Sequence, residues 1–314
     1  MTISVCMIVK NEESRLEGCL DSLKAIADEI IVVDTGSQDA TKDIAAKYTD
    51  RIYDFEWTGS FSDARNYAFS KASMDYIYSA DADETIDAEN QNKFLQLKQA
   101  LLPEIEIVQM YYCNQLENNT IYSFDKEYRP KLYKRVREFV WQEKIHEAVA
   151  LAPVVYDSDI EIIHKPGLGH AKRDLKAFEQ LVIGGEGMSL RLQEIYAKEL
   201  MIAGDEEDFD AACQFFEKAV ETASEEIALI QAACVVARCY RIKKDATNFF
   251  KYAMKAVALG GCSEMCYEIG EWYYEAGDLG EAKMWYYNAA NETHALIALQ
   301  YEKELPQEKL SLLE

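Results

Sequence analysis

The sequence predicts two structural parts, an α/β domain with a mostly parallel sheet followed by an all-α domain. In the first part, short apolar runs alternate with stretches of helical spacing, and the runs at 3–9, 30–33 and 76–80 are typical of buried parallel strands. From about Met188 these strand signals vanish, and Ala, Glu, Tyr, Phe and Leu dominate. Strands and helices that alternate in this way predict helices packed around a parallel sheet.

A glycine pair predicts the boundary between the two parts. Helical spacing over residues 171–183 is followed by Gly184 and Gly185, and paired glycines interrupt helices. We therefore expect a first domain at residues 1–184, which ends in a connecting helix, and a helical domain at residues 185–314.

Three self-similar segments in the second domain indicate helical repeats. Each carries aromatic residues shortly before an anchoring alanine (Ala219, Ala256 and Ala289), and the spacings between these alanines bracket the period of about 34 residues of tetratricopeptide repeats. The last segment fits best, because Gly270 and Tyr286 occupy positions of close helix packing. The segments therefore resemble tetratricopeptide repeats, and a generic helical bundle is the alternative.

Composition excludes several classes of function. The 314 residues carry a formal net charge of −23, a field that opposes nucleic-acid binding and adsorption to anionic membranes. No apolar run approaches the roughly 20 residues that span a bilayer, and the N-terminus lacks the basic stretch of a signal peptide. The eight cysteines form no Cys-x-x-Cys pair. We expect a cytoplasmic protein with buried free thiols, without nucleic-acid binding or membrane insertion.

Acidic residues follow two of the predicted buried strands. Asp81 and Asp83 come directly after the strand at 76–80, and Asp34 ends the strand at 30–33. Two carboxylates so close together repel each other unless a cation lies between them, and hard oxygen ligands suit Mg²⁺ or Mn²⁺. Ligands of parallel sheets bind beyond the carboxyl ends of the strands, so these residues predict a metal and nucleotide site at one edge of the sheet. An ordinary acidic turn is the alternative.

Four motifs stand in the order and spacing of one enzyme family. They are Cys6-Met7-Ile8-Val9-Lys10-Asn11-Glu12, Val33-Asp34-Thr35-Gly36-Ser37, Phe61-Ser62-Asp63-Ala64-Arg65-Asn66-Tyr67-Ala68 and Asp81-Ala82-Asp83-Glu84. Over roughly residues 1–170 the chain resembles the family-2 glycosyltransferases with the GT-A (Rossmann-like) fold. With its repeats it is similar to the subgroup that contains the S-glycosyltransferases of glycopeptide bacteriocins and related bacterial peptide or protein glycosyltransferases.

The resemblance implies an inverting, metal-dependent transfer of a sugar from a UDP-sugar donor. It implies that Val9 and Asn11 line the nucleotide pocket and that Asp34 holds the uracil. Arg65 and Asn66 would then face the donor between the base and the diphosphate, and a structural salt bridge is the alternative for Arg65.

The resemblance also implies a metal site for Mn²⁺ or Mg²⁺ and a partner for the diphosphate. Asp83 would bind the metal directly, Asp81 would bind the ribose or the metal, and His164 would be a further metal ligand. Arg129 or Lys131 would neutralise the departing diphosphate, although the family tends to have arginine where this chain has Lys131. A solvated strand face is the alternative for this basic cluster, and a surface histidine is the alternative for His164.

A later segment, Trp141-Gln142-Glu143-Lys144-Ile145-His146-Glu147, supplies candidates for the general base. The base removes the proton of the acceptor as the nucleophile attacks the anomeric carbon. Glu147 matches the acidic position of the family, and His146 is the alternative because its ordinary pKa suits the task.

Three hypotheses of function remain at this point. The resemblance favours Ser, Thr or Cys side chains of a peptide or protein that the repeat domain contacts. A polysaccharide or a lipid-linked glycan is the second, and a non-catalytic repeat scaffold is the third. The sugar is not predictable from the sequence, and a homodimer remains open.

Overall fold

The structure is a computed structural model that describes residues 1–113, 126–135, 141–145, 148–149, 153–164, 170–185 and 187–313. Its contacts divide the chain into two compact units, Met1–Leu168 and Gly169–Glu314.

The first unit is built around a mixed sheet. Within the described residues its strands are β1 (Ile3–Val9), β2 (Glu29–Asp34), β3 (Ile52–Asp54), β4 (Tyr76–Ala80), β5 (Glu84–Thr85), β6 (Ile107–Cys113), β7 (Glu127–Lys134) and β10 (Val155–His164), and a separate two-stranded sheet pairs β8 (Trp141–Gln142) with β9 (Ala148–Val149). The helices of this unit are α1 (Leu16–Leu23), α2 (Thr41–Ala45), α3 (Phe61–Ser70) and α4 (Ala88–Ala100).

The strand order is β3-β2-β1-β4-β7-β6-β10-β5. Strands β3, β2, β1 and β4 run parallel, β7 lies antiparallel between β4 and β6, and β10 is parallel to β6. This arrangement confirms the predicted α/β domain with a mostly parallel GT-A sheet. It also brings the carboxyl ends of β1, β2 and β4 to one edge.

Both faces of the sheet are covered, which explains the unbroken apolar runs. On β1, Val5 and Met7 belong to a core that contains Leu16 and Leu20 of α1. Cys6, whose side chain points to the opposite face, packs in a second core formed with parts of β2 and α3. Strands with two buried faces lose the alternation of apolar and polar residues, so helices on both sides account for the sequence of β1.

The second unit is helical throughout its described elements. They are α5 (His170–Ile183), α6 (Leu190–Ala203), α7 (Glu206–Thr222), α8 (Glu226–Ile242), α9 (Ala246–Ala258), α10 (Ser263–Glu275), α11 (Leu279–Asn291), α12 (Gln300–Lys303) and α13 (Leu305–Leu312). The repeat-like pattern is confirmed, because Ala256 on α9 and Ala289 on α11 are fully buried between paired helices. Ala219 on α7 is only partly buried, in agreement with its irregular segment.

The contacts place the boundary of the units earlier than the glycine pair suggested. The sequence assigned the helix at about 171–183 to the first domain, whereas the contacts group α5 with the second unit. The physical reason is that α5 packs against α6 and α7, and Phe178 of α5 stacks on Tyr196 of α6 with ring centroids 4.6 Å apart.

Because α10 and α11 approach closely at Gly270, we expect even a small side chain at this position to destabilise the second unit. A Cβ atom added there would lie 2.7 Å from two ring atoms of the buried Tyr286. We expect Gly270→Ala to lower the free energy of unfolding of the second unit by about 1–3 kcal/mol through overpacking. Thermal and denaturant unfolding followed by circular dichroism would measure this change.

Gly280→Ala is the matched control on α11. An added Cβ there meets only ordinary contact, 3.6 Å from Asp278 Oδ1. Stability should stay equal or rise by about 0.5–1 kcal/mol, because alanine favours helix. Equal stability of both variants would contradict the packing described here.

Candidate active site

The ends of β1 and β2 hold two loops together at the edge of the sheet. Val9 pairs with Asp34, and the Val9 carbonyl accepts the N–H of Thr35 at 3.0 Å. Asn11 adopts a positive φ of 55°; its N–H donates to Ser37 Oγ at 2.9 Å, and its side-chain carbonyl accepts the N–H of Gln38 at 2.8 Å. Val9 and Asn11 therefore shape the loop that follows Asp34.

Of the two carboxylate oxygens of Asp34, one accepts hydrogen bonds and the other has no hydrogen-bond partner. Its Oδ1 accepts the N–H groups of Gly36 and Ser37, both at 2.9 Å, and Gly36 has a φ of 102° that glycine tolerates. Its Oδ2 is buried and has no hydrogen-bond partner. Buried polar atoms are normally hydrogen-bonded, so Oδ2 is an acceptor position that a ligand could use.

Asp81 lies between two positive charges. Arg65 Nη2 is 3.4 Å from its Oδ1, and Lys131 Nζ is 3.5 Å from its Oδ2. Burial disfavours the ionised carboxyl, but the charges of Lys131 and Arg65 outweigh this effect and hold the pKa of Asp81 well below its usual value. The salt bridge that the sequence left open for Arg65 is present. Arg65 also donates to Ser79 Oγ at 2.6 Å.

Glu84 and Lys131 form a buried ion pair directly behind Asp81. Lys131 Nζ lies 2.6 Å from Glu84 Oε1, and the two residues are 5% and 2% exposed. Glu84 Oε2 accepts the N–H of Asp81 at 3.3 Å, and burial raises the pKa of Glu84 above its usual value. The Lys131 ammonium is therefore paired with the carboxylates of Asp81 and Glu84 within the protein, and its contact with a diphosphate stays a prediction.

Asp83 is paired with His164 rather than with Asp81. His164 Nε2 lies 3.3 Å from Asp83 Oδ2, across the antiparallel contact of β5 and β10. The His164 ring packs on Tyr112 with centroids 4.7 Å apart, and its Nδ1 is buried without a hydrogen-bond partner. A carboxylate and an imidazole thus converge from two strand ends.

The remaining predicted residues occupy the sides of this cluster. The Arg129 guanidinium lies 4.2 Å from the Tyr112 ring centroid, and its Nε donates to Glu127 at 2.8 Å. Asn66 binds both backbone polar groups of Trp141, at 3.0 and 2.8 Å. Asn66 therefore fixes β8, and its contact with the donor stays a prediction. Glu147 and His146 lie outside the described residues.

Sequence reasoning missed three contributors to this cluster. Glu84 stood in the quoted Asp81-Ala82-Asp83-Glu84 motif but received no role, although an acid beside two others needs a cation of its own. Tyr112, in contact with both His164 and Arg129, and Trp141, with its ring 4.9 Å from the Arg65 guanidinium, carried no local signal.

The donor set suits a divalent cation with two protein ligands. Within the described part of the chain no group of three His, Cys, Asp or Glu side chains is arranged to hold a metal. Asp83 and His164 provide one oxygen and one nitrogen, and Asp81 is compensated by Arg65 and Lys131. Carboxylate plus imidazole fits Mn²⁺ well, whereas Mg²⁺ prefers oxygen ligands. The remaining coordination positions would fall to a ligand.

The family is established by comparison with known sequences. The model of the family described as Glycosyl transferase family 2 matches residues 4–160, half of the chain. The chain belongs to this family. The matched region contains Asp34, Asp81 and Asp83 and the buried Glu84–Lys131 pair, whereas His164 lies just beyond it.

Individual relatives cover smaller parts. A TPR repeat-containing protein of Synechococcus elongatus is 44% identical over 84 residues, which are 27% of this chain and 21% of that protein. The SPbeta prophage-derived glycosyltransferase SunS of Bacillus subtilis is 38% identical over 102 residues, 32% of this chain and 24% of that protein. The match thus spans a quarter or less of these two curated relatives.

Among solved structures, the chain is similar to S. aureus TarS 1-349 in complex with UDP-GlcNAc. The identity is 13%, the TM-score is 0.42, and the alignment covers 93% of each chain.

In the described residues no helix combines the length and the apolar character needed to cross a bilayer.

Because Lys131 belongs to a buried ion pair, we expect its replacement to destabilise the first unit strongly. We expect Lys131→Met to lower the free energy of unfolding of the first unit by roughly 3–5 kcal/mol, because Glu84 is left as a buried unpaired charge. The double variant Lys131→Met/Glu84→Gln should recover a large part of this loss. A double-mutant cycle in chemical denaturation measures the coupling.

Lys24→Met is the control for the loss of an exposed ion pair. Lys24 Nζ is 2.8 Å from Asp21, and both side chains are more than half exposed. Its removal should change stability by at most about 1 kcal/mol. A cost at Lys131 no larger than the cost at Lys24 would contradict the buried pair.

Proposed function

We propose that this chain is an inverting glycosyltransferase that moves a sugar from a UDP-sugar to a Ser, Thr or Cys side chain of a peptide or protein, with Mn²⁺ or Mg²⁺. The observation that carries this proposal is the 3.3 Å approach of Asp83 and His164. Membership of glycosyl transferase family 2 supports the reaction class. The metal, the donor, the stereochemistry and the acceptor are all part of the proposal.

Asp34 is the proposed contact to the uracil. Its unsatisfied Oδ2 can accept a hydrogen bond from the imide N–H of the base, while Oδ1 stays bound to the loop at Gly36 and Ser37. Val9 and Asn11 would contribute by fixing this loop against β1. Arg65 would act through Asp81, which it contacts directly.

Asp83 and His164 are the proposed metal ligands, and Asp81 is the proposed contact to the ribose or to water on the metal. When bound there, a divalent cation would supply positive charge to the diphosphate as the sugar leaves. Arg129 is the proposed additional cation for the diphosphate, because its guanidinium shares the Tyr112 ring with His164. Lys131 would keep Asp81 and Glu84 in place.

Glu147, with His146 as the alternative, is the proposed general base. It would take the proton from the acceptor hydroxyl or thiol as the oxygen or sulfur attacks the anomeric carbon, and the nucleotide would leave from the opposite face. A thiol needs less assistance than a hydroxyl, because its ordinary pKa lies closer to neutrality.

Loss of the Asp83 carboxylate tests the metal site. We expect Asp83→Asn to lower Mn²⁺-dependent UDP-sugar hydrolysis about hundredfold or more, since a metal contributes several kcal/mol to stabilising the transition state. Released UDP is the readout, with and without chelator. Asp50→Asn, at an exposed position of the same unit, is the control and should keep full activity. Equal turnover of Asp83→Asn and the control would refute the metal role.

Replacement of one oxygen of Asp34 tests the base contact. Asp34→Asn can keep the Oδ1 bonds to the loop, but it offers an NH₂ group where the imide N–H must be accepted. We expect UDP binding measured by calorimetry to weaken by about 1–3 kcal/mol, while discrimination between UDP and CDP is lost. Unchanged discrimination would show that Asp34 does not read the base.

A further inference from the structure

A groove across the repeat helices is filled by the chain itself. We call it the repeat groove and define it by Met201 of α6, Gln231 and Arg238 of α8, and Glu264 and Tyr267 of α10. Residues 294–301, here called the C-terminal segment, lie in it. Within this segment Ile297, Ala298 and Tyr301 are 5%, 4% and 1% exposed. This part of the helical unit is therefore covered by the chain itself.

Glu264 binds the backbone of the C-terminal segment as a carboxylate binds a peptide. Its Oε2 accepts the N–H of Leu296 at 3.1 Å, and its Oε1 accepts those of Ile297 and Ala298 at 2.7 and 2.8 Å. Glu264 itself is completely buried. Bonds from N–H groups to a carboxylate are stronger than neutral hydrogen bonds. Because these bonds are made to backbone N–H groups, peptides of many different sequences could form them.

Further backbone contacts flank this carboxylate. Gln231 Nε2 donates to the Leu296 carbonyl at 2.9 Å, and the N–H of Ser263 donates to the His294 carbonyl at 3.1 Å. The groove thus satisfies both donors and acceptors of the segment. Backbone groups that are taken from water need such partners, so these contacts allow the main chain of the segment to be buried here.

Tyr301 supplies the side-chain recognition. Its ring lies edge-on to Tyr267, with centroids 5.3 Å apart, and its hydroxyl donates to the Met201 carbonyl at 2.6 Å while it accepts from Arg238 at 2.6 Å. The tyrosine therefore touches α6, α8 and α10 at once. A phenylalanine would leave the Met201 carbonyl and the Arg238 donor without this partner.

We propose that the repeat groove is a peptide-binding site, that the C-terminal segment is its internal ligand, and that a second peptide of the same chemistry binds only when this segment is released. The ligand has consecutive free N–H groups, a small residue and a tyrosine three positions after it, as Ala298 and Tyr301 show.

The test uses the full chain and a labelled synthetic peptide that corresponds to residues 292–304. Tyr301→Ala in the chain removes the anchor of the internal ligand and leaves every groove residue unchanged. If the segment is seated about 99% of the time in the parent chain, the variant should bind the peptide about hundredfold more tightly. Fluorescence anisotropy measures the affinity, without donor or metal, so the result is independent of sugar transfer.

Two controls establish that binding is specific. A peptide in which the tyrosine is replaced by alanine should bind the Tyr301→Ala chain at least tenfold more weakly than the parent peptide. Glu264→Gln added to the Tyr301→Ala chain should also weaken binding, because the amide presents an N–H group to the N–H groups of the peptide. Equal binding of both peptides, or no effect of Glu264→Gln, would refute the groove as the site.

A second variant covers the case in which Tyr301→Ala does not fold. Ala298→Arg overfills the buried alanine position and releases the segment without removing the tyrosine. If either variant keeps the helical circular dichroism signal, peptide binding supports the proposal and absence of binding overturns it. If neither variant folds, the segment is a fixed part of the core, and the proposal is wrong.

Discussion

Compensation of buried negative charge at the end of β4 is the constraint on which the candidate site depends. Asp81, Asp83 and Glu84 leave one strand end together, and without cations they would repel one another. Lys131 from the antiparallel strand β7 and Arg65 from α3 neutralise Asp81 and Glu84. Asp83 pairs with neither of these cations but with His164, and these two residues are the candidate metal ligands.

The same sheet explains why the nucleotide and the metal would meet. β1 pairs in parallel with both β2 and β4, which sets the Asp34 loop beside the Asp81 cluster at one edge. In the second unit, the corresponding feature is the repeat groove between helices. There the buried Glu264 carboxylate accepts hydrogen bonds from main-chain N–H groups. In both units, the proposed recognition rests on carboxylates whose partners within the protein are fixed by packing.

Much of the fold was predictable, because it follows from local periodicity. The runs that became β1, β2 and β4 are apolar without alternation, and the alanines of the repeats mark close helix contacts. The grouping of α5 with the second unit was not predictable from Gly184 and Gly185, since it depends on the contact of Phe178 with Tyr196. In the site, the acidic residues were predictable from their place after strands. Their pairing was not, because Lys131 and His164 come from distant strands and a sequence does not show which charges meet.

We propose that Asp83 and His164 form an incomplete metal site that a diphosphate completes. Electron paramagnetic resonance of Mn²⁺ titrated into the protein, with and without UDP, would show whether the nucleotide strengthens metal binding. We expect weak Mn²⁺ binding to the protein alone and binding at least about tenfold tighter with UDP present, since two protein ligands leave most coordination positions to phosphate and water. Mn²⁺ affinity that UDP leaves unchanged would contradict it.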